Sequence, residues 1–110
     1  MIAIIDYKSG NIRSVFNAFK YLKEEVEIKK IADICNPKAV VLPGVGSFKQ
    51  IADELNPYKK ELIRILDSGI PFLGICVGLQ YMFEKSYENG VYNGLGYFKG
   101  DIQNISFLNI

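Results

Sequence analysis

Pro71-Phe72-Leu73-Gly74-Ile75-Cys76-Val77-Gly78-Leu79-Gln80 is the stretch on which the fold turns. Phe72, Leu73 and Ile75 supply a short apolar run of the kind that builds a buried strand, and Pro71 stands where a strand can begin. Gly74 and Gly78 lie two residues to either side of Cys76. That is the G-x-nucleophile-x-G spacing of a nucleophile elbow, with cysteine at the apex. Glycines without Cβ atoms let strand and helix approach closely, which holds the apex residue in a strained turn with its side chain outward. A thiol so placed faces the positive end of a helix dipole and unpaired backbone N–H groups, and both favour the nucleophilic thiolate. The alternative is a buried structural thiol, a common fate of free cysteine. The two glycines, the strand before and the amphipathic helix after weigh for the nucleophile.

Upstream of the elbow, Tyr58, Leu62, Ile65 and Leu66 mark the apolar face of a helix. Asn56 stands at its cap, Pro57 at its first position and Gly69 at its end. Ala39–Leu42 reads as a buried strand that ends in the glycine-rich loop Pro43–Phe48, and Ile51, Ala52 and Leu55 suggest a short helix. At the start of the chain, Ile2–Ile5 fits a strand buried on both faces of a parallel sheet. The turn Asp6–Asn11 follows, with Ser9 or Asn11 as helix cap. Ile12, Val15, Phe16, Phe19 and Leu22 then form one helical face. Val26 and Ile28 alternate with charges, as in a strand nearer an edge, and 31–34 fits a helical turn. Downstream, Leu79, Met82 and Phe83 are expected inward, 88–96 reads as a glycine-rich loop, and 97–110 as one or two strands carrying Phe98, Ile102, Ile105 and Phe107.

This alternation predicts an α/β fold with a parallel sheet, and in such sheets sites lie at the carboxyl ends of the strands. The loops Asp6–Asn11 and Pro43–Phe48 and the Cys76 elbow are therefore expected to converge. An attacked carbonyl becomes an oxyanion and needs preorganised N–H donors. In an elbow one donor is the residue after the nucleophile, here Val77. Gly44-Val45-Gly46 is placed to give a second, or else is a plain tight turn. Gln80, one helical turn past Cys76, could hydrogen-bond a polar substrate or simply face solvent. Phosphate binding at the glycine loop is disfavoured, because the P-loop spacing and its lysine are absent.

Composition bounds the rest. A length of 110 residues suits a single domain over 1–110, and 49% hydrophobic with 23% charged residues is the balance of an ordinary globular protein. A net charge of +1 gives no electrostatic reason to expect nucleic acid or membrane as partner. Lys8, Arg13, Lys20 and Lys23 read as a solvated face. The apolar run at Met1 stops at Asp6 with no basic region before it, so it is not a signal peptide, and no run reaches membrane-spanning length. A cytoplasmic location is expected. Cys35 and Cys76 are too few for a disulfide framework or a zinc site, and no metal or cofactor is expected. Cys35 reads as an incidental thiol. The sequence contains no histidine, the usual base and acid for a cysteine that attacks an amide.

Gly74-Ile75-Cys76-Val77-Gly78-Leu79-Gln80 resembles the nucleophile motif of class I glutamine amidotransferases. Asp6-Tyr7-x-x-Gly10-Asn11-x-x-Ser14-Val15, Leu42-Pro43-Gly44-Val45-Gly46-Ser47-Phe48 and Gly90-Val91-x-x-Gly94-Leu95-Gly96 are similar to the HisH-type glutaminase subunit of imidazole glycerol phosphate synthase. Lys8 and Ser9 depart from the residues that many relatives carry there. The resemblance implies a three-layer, flavodoxin-like fold. It implies hydrolysis of glutamine to glutamate and ammonia, and transfer of ammonia to a (β/α)₈-barrel cyclase subunit in histidine biosynthesis. It assigns Cys76 as the nucleophile and Val77, Val45 and Gly46 to the oxyanion hole. Gly44, Gly46 and Gln80 fall at glutamine-binding positions, and Gly10 and Asn11 near the synthase interface. The family's triad histidine and glutamate lie in a later motif without counterpart here. The resemblance therefore implies a fold incomplete at its C-terminus, negligible activity for the chain alone, and an exposed sheet edge near 97–110. A non-catalytic interaction module, or a truncated pseudo-amidotransferase, is the competing reading. A cysteine hydrolase that borrows its base from a partner chain is a third.

Overall fold

The apolar runs Ile2–Ile5, Val26–Lys29, Ala39–Leu42 and Phe72–Gly74 become strands β1 to β4 of one parallel sheet in a computed structural model that describes residues 1–105. Their spatial order is β2-β1-β3-β4, the start of a flavodoxin-like doubly wound sheet. Parallel neighbours need long crossovers. Helix α1 (Ile12–Tyr21) joins β1 to β2, while α2 (Phe48–Leu55) and α3 (Lys59–Asp67) lie between β3 and β4. Helix α4 (Val77–Tyr81) follows β4.

Side-chain alternation divides the core. Ile2, Ile4, Val26 and Val41 face α1, meeting Ile12, Val15, Phe16 and Phe19. Ile5, Val40 and Leu42 face the other way, onto Phe48, Ile51, Leu55, Leu62 and Ile65. The result is helix, sheet, helix, the α/β arrangement the sequence predicts.

The two faces are unequally covered. Phe48, Ile51 and Leu62 are wholly buried, whereas no residue of α1 is. The expected burial of the elbow strand is corrected here. Among the described residues β4 has only β3 beside it, and Leu73 is 51% exposed because nothing described packs over it. Leu22 lies beyond the end of α1 and is 64% exposed.

Helix α4 also faces differently from expectation. Leu79 is 46% exposed, Val77 and Tyr81 point inward in its place, and Met82, just past the helix, is buried as expected. The ring of Tyr81 packs against Phe48, centroids 6.1 Å apart. Its hydroxyl donates to Asn56 Oδ1 at 2.8 Å, which draws Asn56 away from the capping role. Pro57 instead sits in a one-turn 3₁₀ helix, Asn56–Tyr58, and α3 starts at Lys59. Tyr58, expected on the apolar face, is exposed. At α1 neither expected cap forms. Asn11 takes the cap position without a side-chain bond, and the Ser9 hydroxyl is bonded to Glu54.

After α4, strands β5 (Lys85–Ser86), β6 (Tyr92–Asn93) and β7 (Asp101–Ile102) make a small sheet in the order β6-β5-β7. The stretch read as loop thus contains β6, and of the strands read over 97–110 only Asp101–Ile102 is seen, with Phe107 outside the described residues. β7 is an edge of that small sheet, and among the described residues β2 and β4 are the edges of the main one. Among the described residues no helix is long and apolar enough to cross a membrane.

This division predicts opposite sensitivities. Phe48→Ala should cost about 3–5 kcal/mol, as for other large-to-small core changes. Leu73→Lys should stay within about 0.5 kcal/mol, as a surface change does. Urea denaturation midpoints measure both, and a large loss from Leu73→Lys would show that β4 is covered in solution.

Candidate active site at the strand ends

Cys76 adopts φ 53° and ψ −122°, a region that costs a non-glycine residue about 1–3 kcal/mol and persists only where the surroundings enforce it. The enforcement is visible. Ile75 N–H donates to the Leu42 carbonyl at 3.0 Å, and Gly78 N–H to the Ile75 carbonyl at 2.9 Å. A Cβ at Gly78 would collide with the Leu42 carbonyl oxygen, and one at Gly74 would come within 2.9 Å of the Leu79 Cα. Both glycines of the motif are therefore demanded by close backbone approach. The turn leaves Cys76 exposed. Helix α4 has only five residues, so its contribution is local. Val77 opens it and needs no acceptor within the helix for its N–H. Leu79 and Gln80 N–H groups donate to the Cys76 carbonyl at 3.0 and 3.1 Å.

The loop after β3 lies directly on this elbow. Gly44 is buried, and a Cβ there would stand 2.7 Å from Gly78 N and from Val77 Cγ1 and 2.8 Å from the Tyr7 hydroxyl. Val45 and Gly46 are exposed, and Gly46 has φ 91°. Ser47 begins α2 through a capping box with Gln50, a device visible in the Ser47-x-x-Gln50 spacing.

The loop after β1 closes the set. The Tyr7 hydroxyl donates to the Pro43 carbonyl, and Val45 N–H donates to the Ser9 carbonyl at 3.4 Å. The three loops expected to converge do so, the first resting on the second and the second on the elbow. Of the expected oxyanion donors, the Val45 amide is engaged with Ser9. Gln80 is half-buried one turn past Cys76. Gly10 and Asn11 line an open cavity of about 620 Å³ together with Lys8, Val45, Gly46 and Glu54. It sits between the ends of β1 and β3, where strand order reverses and doubly wound folds bind ligands. Glu54 lay outside every sequence motif, and it meets Ser9 across 45 positions of chain. Among the described residues no cluster suited to hold a metal ion occurs. Burial pushes the Tyr7 hydroxyl well above its ordinary pKa, and the charge of Glu54 adds to this. Burial does the same at Tyr81.

The family model described as glutamine amidotransferase class-I matches residues 3–104. The chain is 38% identical over 102 residues to imidazole glycerol phosphate synthase subunit HisH of Methanocaldococcus jannaschii, covering 93% of this chain and 52% of that protein. It is 47% identical over 105 residues to the subunit of that name from Caldanaerobacter subterraneus, again covering 93% and 52%. With the one from Prochlorococcus marinus it is 49% identical over 109 residues, covering 94% and 52%. The chain thus spans about half the length of these curated relatives.

The buried tyrosines set an alkaline limit. Free tyrosine ionises near about pH 10, so above that the unfolded chain loses protons that folded Tyr7 and Tyr81 keep. Their contribution is complete below this pH and is lost as pH rises towards the raised folded values. Urea midpoints should fall between about pH 9.5 and 11.5, and Tyr7→Phe should reduce the slope. An unchanged slope would mean that Tyr7 titrates normally.

Proposed function

The chain belongs to the class-I glutamine amidotransferase family, and on that premise we propose that its strand-end loops form the thiol half of a glutaminase site. Cys76 is the nucleophile. Its sulfur bonds to the side-chain amide carbon of glutamine while the carbonyl electron pair moves onto oxygen. The Val77 N–H, as the elbow residue after the nucleophile, receives that charge, and Gly46 supplies backbone from the facing loop. Collapse expels the amine, which must take up a proton to leave as ammonia. Water then cleaves the γ-glutamyl thioester, releasing glutamate and restoring the thiol. Gly44, Gly46 and Gln80 are the glutamine-contacting positions in this reading.

The observation that carries it is the strained, exposed apex at Cys76, locked by Gly78 against β3. A structural cysteine has no use for that conformation. The relatives' names support a subunit of an imidazole glycerol phosphate synthase. We further propose that it is cytoplasmic and delivers ammonia to a (β/α)₈-barrel cyclase, with Gly10 and Asn11, which line the open cavity, on the partner-facing side. These 110 residues contain no histidine. Within these residues no imidazole is present to act as the base that activates the thiol or the acid that protonates the leaving amine.

Treatment with a glutamine-like electrophile such as 6-diazo-5-oxo-norleucine tests the site without requiring turnover. Intact mass should show one adduct per chain, mapped to Cys76, abolished by Cys76→Ser and unaffected by Cys35→Ser. Equal labelling of both cysteines, or none, would favour a non-catalytic module. Glutamine hydrolysis by the chain alone should be indistinguishable from buffer.

A further inference from the structure

We propose that Glu54 is a positioning residue for the loop that carries Val45 and Gly46, acting through Ser9. The proposal deepens the glutaminase reading and rests on it for its catalytic meaning.

One carboxylate oxygen of Glu54 accepts both the Ser9 backbone N–H, at 3.1 Å, and the Ser9 hydroxyl. Bonds to an ionised acceptor are the stronger kind, and two from one residue fix that residue's orientation as well as its place. The carboxylate itself stands on firm ground. Helix α2 is capped by Ser47 and Gln50, and its Ile51 and Leu55 are buried. The grip therefore runs from a rigid helix to a turn residue on the neighbouring loop.

The other side of Ser9 is its carbonyl, which accepts the Val45 N–H at 3.4 Å. That distance is beyond the usual range for an amide hydrogen bond. Such a weak bond does not hold two loops together; it persists because the loops are already held. The second hold is the Tyr7 hydroxyl on the Pro43 carbonyl. Between them the peptide groups from Pro43 to Val45 are bracketed, one end by Tyr7 and the other by Ser9. While the Val45 amide rests on Ser9 it cannot donate to an oxyanion on a substrate at Cys76. Glu54 thus governs how long that amide is held back. The raised pKa of Tyr7, caused in part by the charge of Glu54, agrees with the carboxylate lying against this junction. Serine at position 9 also gains a reason, since its hydroxyl supplies one of the two bonds.

Amide hydrogen exchange, read by NMR on the full 110-residue chain, tests the grip directly. Glu54→Ala should speed exchange at Val45 by about tenfold or more, the scale of a lost bond to a charged group. Leu42, in the core strand, should be unchanged. Glu54→Gln should restore part of the protection, because its amide oxygen still accepts. Ser9→Ala should give an intermediate effect by losing the hydroxyl bond alone, and it carries the test should Glu54→Ala fail to fold. Unchanged exchange at Val45, or equal acceleration at Leu42, overturns the proposal. Labelling of Cys76 by the glutamine-like electrophile in the same variants separates the two ideas. Faster labelling in Glu54→Ala ties the grip to the thiol chemistry. Absence of Cys76 labelling in every variant sinks the glutaminase reading, while exchange at Val45 still decides the grip.

Discussion

The carbonyl oxygen of Leu42 is the point from which the site is built. It accepts the Ile75 N–H at 3.0 Å and leaves no room for a side chain at Gly78. Leu42 is also paired with Gly74 in the β3–β4 register. One atom at the end of a strand buried from Val40 to Leu42 therefore fixes where β4 ends, where α4 begins and how sharply the chain turns between them. Cys76 is forced to φ 53° because the backbone on either side of it is already committed. The strain is small beside the burial of β3 and α2 that sustains it.

The same economy applies to the facing loop. Gly44 leaves no room for a Cβ between the Gly78 backbone N, the Val77 side chain and the Tyr7 hydroxyl. Tyr7 then ties Pro43 to the loop after β1, and Glu54 ties that loop back to α2. The geometry around the thiol is thus set by main-chain contacts and two side-chain anchors, Tyr7 and Glu54, that need not touch substrate. Such a construction fixes which backbone N–H groups are engaged within the loops, as the Val45 amide is with Ser9, and which are left toward the thiol.

What could be read in the sequence was what main chain and period encode. The apolar runs at Ile2 and Ala39, the helical spacing from Ile12 to Phe19 and the two glycines around Cys76 each state a local requirement. The misreadings came from long-range partners. Asn56 followed by Pro57 is a sound cap signal, but the buried Tyr81 hydroxyl needed an acceptor and took Asn56 instead. Leu79 was expected inward on hydrophobicity, yet the shape beside Phe48 is filled by the larger ring of Tyr81. Ser9 was a fair cap candidate until Glu54, far along the chain, offered a charged acceptor. No local pattern announces such pairs, because each member is unremarkable where it stands.

The unequal finish of the two sheet faces explains how the elbow is supported. Cys76 follows β4, which has a neighbour on one side only among the described residues. The supports described for the thiol come from the closed side: the Leu42 carbonyl, Gly44 and the Tyr81–Phe48 stack. On the open side stand Leu73, half exposed, and Ile75, partly buried and packed on the cluster of Ile2, Ile4, Val26 and Val41. Removing packing from that side takes away apolar cover but no hydrogen bond that shapes the turn. Among the described residues the apex thus keeps its conformation at the margin of the sheet through supports in β3 and α2.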